Sequence, residues 1–590
     1  MKFDVFVIPF SVGLVGLIIL LTVKYTRWII SLSRTQRKQI RKSFFSLKFF
    51  TFIKDIVTDV LLHLRIFKTN PVLGYMHSSL AFGWFLLIVF GAIEADLAST
   101  STVNNLYEPI FFKYFHHDLS DFAYRDFFSF LMDFLLLYVL SGVLLAIIKR
   151  FYSRLMGMKR TTRLFWTDKM ALYSLWLIFP IRLLAESTTA GIYHNGGFMT
   201  NSIGNGLAIL LPLHHIEYPV WWLYSIDLLV FFAFLPFSRY MHIPTEMVLI
   251  ALRQSGIYTK NVISGYSQFE IFSCSSCGIC IDVCQVQSIT GRNGMVPAYM
   301  FQKIRHGKLL KPAIYDCLMC GRCQQACPVR INIINLKLVK RNEKLNHKHQ
   351  HYEYLQPIEL EKKPTRIAYF AGCMSQLTPS IPKAMQNIFK QVDADYFFMD
   401  ENGTICCGRP LQLAGKYDDA QILMKKNIEL IHSSHAEMLV TSCPICYKVF
   451  NEEYSLDIPV YHHSQLFAMW MKEGKLPLHK QALNAVYHDP CDLGRGSSIY
   501  EQPRIILRSC VELNEPKGVV AEKSLCCGGS LGNFYFQEKD KVQVAHNAYN
   551  SLVNNHTDCL ITACPLCKKT FQKVAEIPVM DIAEIVAKSL

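Results

Sequence analysis

Eight cysteines between residues 274 and 327 stand in two runs, CSSCGICIDVC and CLMCGRCQQAC, each spaced C-x2-C-x2-C-x3-C. All twenty cysteines of the 590-residue chain lie beyond residue 273. Three thiolates on one tight loop can hold three irons of a [4Fe-4S] cubane, and the fourth, set off by an extra residue, ligates the other cluster of a two-cluster module. That spacing assigns Cys274, Cys277, Cys280 and Cys327 to one cubane, and Cys317, Cys320, Cys323 and Cys284 to the second. Pro328 follows Cys327, whereas Gln285 follows Cys284. A structural zinc site takes four ligands, typically from two C-x2-C pairs, and would leave the third step of each run unexplained. The chemistry implied is one-electron transfer.

Ten further cysteines form an internal repeat. The first copy has Cys373, then Cys406 and Cys407 in ICCGRP, then Cys443 and Cys446 in SCPICYKVF; the second has Cys491, then Cys526 and Cys527 in LCCGGS, then Cys564 and Cys567 in ACPLCKKTF. Apolar runs (RIAYFAGC, EMLVTSC, NAVYHDPC, DCLITAC) lead directly into these cysteines, which predicts strands delivering thiolates to one edge of an α/β unit. Glycines after each CC let backbone approach the sulfurs closely. Adjacent thiolates fit a single tetrahedral zinc poorly and suit neighbouring irons. Cys510 and Cys559 fall outside the repeat and read as small buried apolar residues.

These elements must be placed relative to a membrane. Five apolar stretches in the first 245 residues read as spans: Val5 to Val23, Ser78 to Ile93, Phe127 to Ile148, the shorter Met170 to Ala185 carrying Arg182, and Val220 to Phe237. Lys24 to Lys48 holds eight basic residues and no acid, and Lys149 to Lys169 holds seven against one, so both segments are expected on the cytoplasmic side. Glu94 to Asp121 carries five acids and one lysine, and no Lys or Arg lies between Arg182 and Arg239, so these segments are expected outside. The amino terminus is then outside, and the iron–sulfur region enters the cytoplasm of an inner-membrane protein, where thiols stay reduced. The basic residues follow the first apolar stretch rather than precede it, which argues against a cleaved signal peptide. The net charge of +15 is concentrated on the segments facing anionic lipid and calls for no nucleic acid.

His77 begins the second span and His242 ends the fifth, both at the cytoplasmic depth. Two neutral imidazoles facing each other across a bundle are a natural axial pair for haem b. His116, His117, His194, His214 and His215 lie toward the outer face, the level of any second haem, without an evident transmembrane partner. The five spans with these histidines resemble the cytochrome b subunit of respiratory nitrate reductase. That family's second histidines fall at Leu87 and Tyr224 here, so the resemblance supports the inner haem and withholds both ligands of the outer one.

The doubled cysteine pattern resembles the cysteine-rich domains of heterodisulfide reductase catalytic subunits and of glycolate, lactate and anaerobic glycerol-3-phosphate oxidation systems. The resemblance implies two noncubane [4Fe-4S] clusters, each held by the five cysteines of one copy. Asp492 stands where the family often has histidine. The whole chain is similar to membrane heterodisulfide reductases and to iron–sulfur oxidoreductases linking electron-transfer flavoprotein to menaquinone. The expected organisation is a five-helix membrane cytochrome b-like domain (1–245), an α+β dicluster ferredoxin module (260–340), a linker (341–366) and two α/β cysteine-rich domains (367–470 and 482–590). No G-x-G-x-x-G or P-loop is present, so two-electron chemistry is expected from a partner, a cytoplasmic flavoprotein, with membrane quinone at the other end. Two alternatives stay open: a thiol-disulfide reductase fed by quinol, and an electron-wire subunit anchoring a soluble dehydrogenase.

Overall fold

The computed structural model describes residues 3–590 except 45–47, 99–104, 119–121, 259–263, 293–294, 311, 345–364, 404 and 532–535. Among the described residues, five helices are long and apolar enough to cross a membrane: Val7–Ile30, Pro71–Ala98, Arg125–Phe151, Trp166–Tyr193 and Leu213–Phe237. Each overlaps one predicted span and is longer than it. Val12, Val15, Ile18 and Ile19 on the first and Phe127, Phe130 and Phe134 on the third remain exposed, as apolar side chains facing acyl chains do.

Three segments that read as loops differ. The basic stretch after the first span contains helices Arg34–Phe44 and Lys48–Asp55, because Arg, Lys and Gln are good helix formers and no Gly or Pro interrupts them. Between the fourth and fifth spans lies helix Phe198–Leu210, whose 13 residues are too few to span but enough to pack on the bundle. Glu94, expected in an outer loop, instead lies inside the second span, only 2% exposed, because that helix continues to Ala98.

Most of the expected linker lies outside the described residues. Its first residues belong instead to helix Ile333–Lys344, where Arg341 is fully buried and donates to the carbonyls of Ile314, Leu413 and Cys317. A guanidinium with those acceptors is anchored structure, and the polar composition of the stretch concealed it.

Beyond residue 366 the repeat folds twice into a four-stranded parallel sheet flanked by helices. The first sheet has order β2-β1-β3-β4, with β1 Ile367–Phe370, β2 Tyr396–Phe398, β3 Met438–Thr441 and β4 Val460–His462. The second has order β6-β5-β7-β8, with β5 Asn484–His488, β6 Glu512–Leu513, β7 Cys559–Thr562 and β8 Val579–Asp581. The registers correspond: Tyr369 pairs with Val440 as Tyr487 pairs with Ile561. The copies share one apolar core, in which helix Ser380–Gln391 packs on Ile582–Ser589 and His463–Lys472 on Glu501–Cys510.

The ferredoxin module is fastened to the bundle at helix Gly265–Phe272. Trp28 packs against Phe269 and Phe272, each at a ring separation of 5.0 Å. A Cβ on Gly265 would lie 1.7 Å from the Trp28 carbonyl oxygen, so only glycine permits this approach. Gly265→Ala is expected to destabilise the protein by about 3 kcal/mol, the upper range for overpacking. Gly206→Ala, with open space at its Cβ, should cost far less; thermal unfolding in detergent compares the two.

Candidate functional site

The two cysteine loops of the ferredoxin module have the same backbone. Ser276 and Met319, each just before the second cysteine, have φ of 53° and 57°, and Gly278 and Gly321, just after it, have φ of 98° and 75°. Left-handed turns at matching positions curl each loop around its sulfurs. Around Cys327, which burial pushes up, the neighbouring thiols are Cys274 and Cys277, and one small apolar cavity is lined by Cys274, Cys277, Cys280 and Cys327. Around Cys284, which burial pushes up to about 12, they are Cys323, Cys320 and Cys317. Each run's fourth cysteine therefore sits with the other run's first three. Lys337, whose side chain is fully buried, places Nζ 3.1 Å from Cys317 Sγ and 4.0 Å from Cys323 Sγ. Burial works to discharge this lysine, but the two sulfurs outweigh it and hold the ammonium.

In both cysteine-rich domains, thiols gather at the carboxyl ends of the two central strands, where parallel α/β sheets commonly place their sites. Cys373 follows β1 and Cys443 follows β3; Cys491 follows β5 and Cys564 follows β7. Five thiols lie beside one another in a chain in each copy. The first runs Cys373, Cys406, Cys407, Cys446, Cys443. The second runs Cys491, Cys526, Cys527, Cys567, Cys564 in the same order. Cys510 and Cys559 are buried in the shared core.

Backbone approaches sulfur at the glycines after CC: the Gly408 N–H faces Cys406, and the Gly529 N–H donates to Cys527 Sγ at 3.4 Å. Gly408 and Gly528 also adopt left-handed backbone, with φ of 85° and 88°, and at Gly372 a Cβ would sit 3.1 Å from Cys446 Sγ.

The sulfur groups adjoin one another. Cys320 of the ferredoxin module lies beside Cys526 of the second cysteine-rich domain. Cys443 and Cys564, from the two copies, lie within electrostatic reach. On the side of the bundle, Lys149 near the carboxyl end of the third span donates to the Cys277 carbonyl at 3.3 Å. A polar cleft of about 670 Å³ opens between the ferredoxin module and the cysteine-rich pair, with Cys320, Cys491, Arg409, Lys448 and Arg495 on its walls.

His77 and His242, both half-buried, lie close together near Lys149 and Arg239. Among the described residues, the His77 Nε2 atom has no hydrogen-bond partner. His242 Nδ1 lies 2.7 Å from the Arg239 carbonyl, which fixes the tautomer with the proton on Nδ1 and leaves Nε2 as a lone pair. Burial pushes His242 down to about 3, so it is neutral at physiological pH. These residues fit axial ligation. A third histidine, absent from the sequence-based candidates, joins them: His63 stacks on His77 at 5.4 Å with rings 21° apart. It follows a short π-helical turn, Ile56–Leu61, and no periodicity marks it as inward.

The outer histidines have other settings. His116 pairs with Glu108 at 3.0 Å, His117 stacks on Tyr193, and His194, His214 and His215 are exposed. Beside Tyr224, the bundle holds a buried ion pair of Arg182 and Glu186 at 2.8 Å.

Comparison with known proteins follows this geometry. Residues 270–331 match a 4Fe-4S dicluster domain, and residues 367–451 and 485–572 each match the CCG cysteine-rich domain. The chain is an iron–sulfur oxidoreductase. It is similar to one component of the dihydromethanophenazine:CoB–CoM heterodisulfide reductase from Methanosarcina acetivorans, 24% identical over 58% of this chain and 99% of that protein. It is also 20% identical to the probable iron-sulfur-binding oxidoreductase FadF of Bacillus subtilis, over 88% of this chain and 89% of that one. The EtfAB:quinone oxidoreductase of Syntrophomonas wolfei is 20% identical over 67% of this oxidoreductase and 71% of its own length.

Proposed function

We propose that this oxidoreductase passes electrons between a cytoplasmic flavoprotein, of the electron-transfer flavoprotein class, and quinone in the membrane. The observation that carries the reading is the unbroken order of its groups: cysteine-rich pair, Cys526 beside Cys320, ferredoxin module, Cys277 tied to Lys149, and the His77–His242 pair at the inner end of the bundle. In this reading Cys274, Cys277, Cys280 and Cys327 hold one cubane, Cys317, Cys320, Cys323 and Cys284 the second, each five-thiol chain a noncubane cluster, and His77 with His242 one haem b. Bound there, these groups supply one-electron carriers.

The residues around them do the positioning. Lys337 keeps positive charge beside Cys317 and Cys323 as negative charge arrives, and Lys149 and Arg239 do the same between Cys277 and the histidines. The basic helix Arg34–Phe44 lies on the cytoplasmic side with the iron–sulfur region, following the positive-inside rule. The Arg182–Glu186–Tyr224 cluster fills the outer half with protein groups, which supports a single haem. The S. wolfei relative, named an EtfAB:quinone oxidoreductase, supports the donor and acceptor classes.

The test uses purified protein in lipid. Reduced electron-transfer flavoprotein should reduce the haem, and a menaquinone analogue should reoxidise it. If a thiol heterodisulfide instead reoxidises the clusters rapidly while flavoprotein leaves them untouched, the reading fails in favour of a disulfide reductase working at the 670 Å³ cleft. No response to either partner overturns it in favour of an anchoring subunit.

A further inference from the structure

The residue that follows each ferredoxin run differs, Pro328 after Cys327 and Gln285 after Cys284. In the structure Gln285 is buried, 6% exposed, and points into the second cysteine-rich domain. Its Oε1 accepts from the backbone N–H of Cys526 at 2.6 Å; its Nε2 lies 3.4 Å from the Cys526 carbonyl and 3.4 Å from Asn547 Oδ1. One side chain therefore holds both backbone groups of a single residue, and that residue's thiol lies beside Cys320.

We propose that Gln285 is a positioning residue that sets the electronic contact between the ferredoxin module and the second cysteine-rich domain. This rests on the cluster assignment above. The transfer it governs moves one electron from the centre held by the second copy to the centre held by Cys317, Cys320, Cys323 and Cys284, with no bond broken and no proton moved. Gln285 is the residue next to Cys284, so its hydrogen bond forms a short link from a sulfur-bearing loop on one side to the Cys526 backbone on the other. Cys526 follows an irregular segment, Ser524 to Leu525, with no strand of its own to fix its height. A fixed partner there removes the freedom that would vary the sulfur separation.

A second tie keeps the domains docked without Gln285. Arg495 Nε donates to the Cys320 carbonyl at 2.9 Å, and its Nη1 donates to the carbonyl and hydroxyl of Ser524 at 2.8 and 2.9 Å. Gln285→Pro is moreover locally benign. Position 285 is the first residue of helix Gln285–Thr290, where proline is tolerated, and the change reproduces the arrangement at Pro328.

The experiment compares wild type with Gln285→Pro, Gln285→Leu and Gln285→Glu, the last keeping an acceptor for the Cys526 N–H. Iron content and individual cluster signals should stay at wild-type values in all three. In Gln285→Pro and Gln285→Leu, the magnetic coupling between the two reduced centres should weaken. Freeze-quenched transfer between them should slow severalfold, because a tunnelling rate falls exponentially with the separation of the two centres. Gln285→Glu should restore most of the coupling. Wild-type coupling and rate in both the proline and leucine variants would overturn the proposal while leaving the function intact. Zinc in place of iron in the wild type would instead remove the cluster assignment on which it rests.

Discussion

Alanine at His77 or at His242 is expected to abolish the haem spectrum, leaving the iron–sulfur clusters unchanged. In the proposed assignment each imidazole would supply one of two axial bonds, and His63 is a third histidine beside them. His63 is committed to a stacking contact with His77, and its Nδ1 lies 3.2 Å from the Leu61 carbonyl. The wild type should hold about one haem per chain, and both variants less than about a tenth of that, by the pyridine haemochrome assay. Electron-transfer flavoprotein should still reduce the clusters of His242→Ala, and quinone should no longer reoxidise them. A haem content near two in the wild type, or full haem in both variants, would remove the assignment. A partial spectrum confined to His77→Ala, lost in the double variant with His63→Ala, would show that His63 takes over.

The second large effect is at Cys527. Its thiol lies in the middle of the second copy's chain, between Cys526 and Cys567, so serine there should prevent assembly of the cluster proposed there. Wild-type protein prepared without oxygen should contain about sixteen cluster irons, four for each of four clusters, and Cys527→Ser about twelve. Reduction of the haem by flavoprotein should fall at least a hundredfold, while chemical reduction by dithionite stays normal. Cys320→Ser should act differently, disturbing a cubane signal and leaving both repeat clusters assembled. Roughly eight cluster irons in the wild type would refute the four-cluster count.

Much of this site is legible in the residues themselves. C-x2-C-x2-C-x3-C fixes which thiols share a loop, and the apolar runs before Cys373, Cys443, Cys491 and Cys564 become β1, β3, β5 and β7 because strands covered on both faces of a parallel sheet are apolar throughout. The fourth span is recognisable despite Arg182, since Glu186 one helical turn on neutralises the charge that weakens its apolar signal. What the sequence conceals is contact across domains. Gln285 stands out only as a departure from a motif, and its partner Cys526 is 241 residues away. Lys337 lies in a helix that reads as an ordinary amphipathic segment, and His63 precedes a short helix outside every span. Periodicity says that such residues face inward, not what they meet there.

The single core shared by the two cysteine-rich copies has a consequence for biosynthesis. Helix His463–Lys472 leaves the ribosome well before Ile582–Ser589, Ile582 lying 119 positions after His463. At typical translation speeds of about 5–20 residues per second, the first copy waits on the order of ten seconds with the faces of Met385, Phe389, Leu466 and Phe467 uncovered. Such a half-core is a natural chaperone client. Metal insertion into the first copy should wait as well, because Cys443 sits at the seam that only the second copy closes.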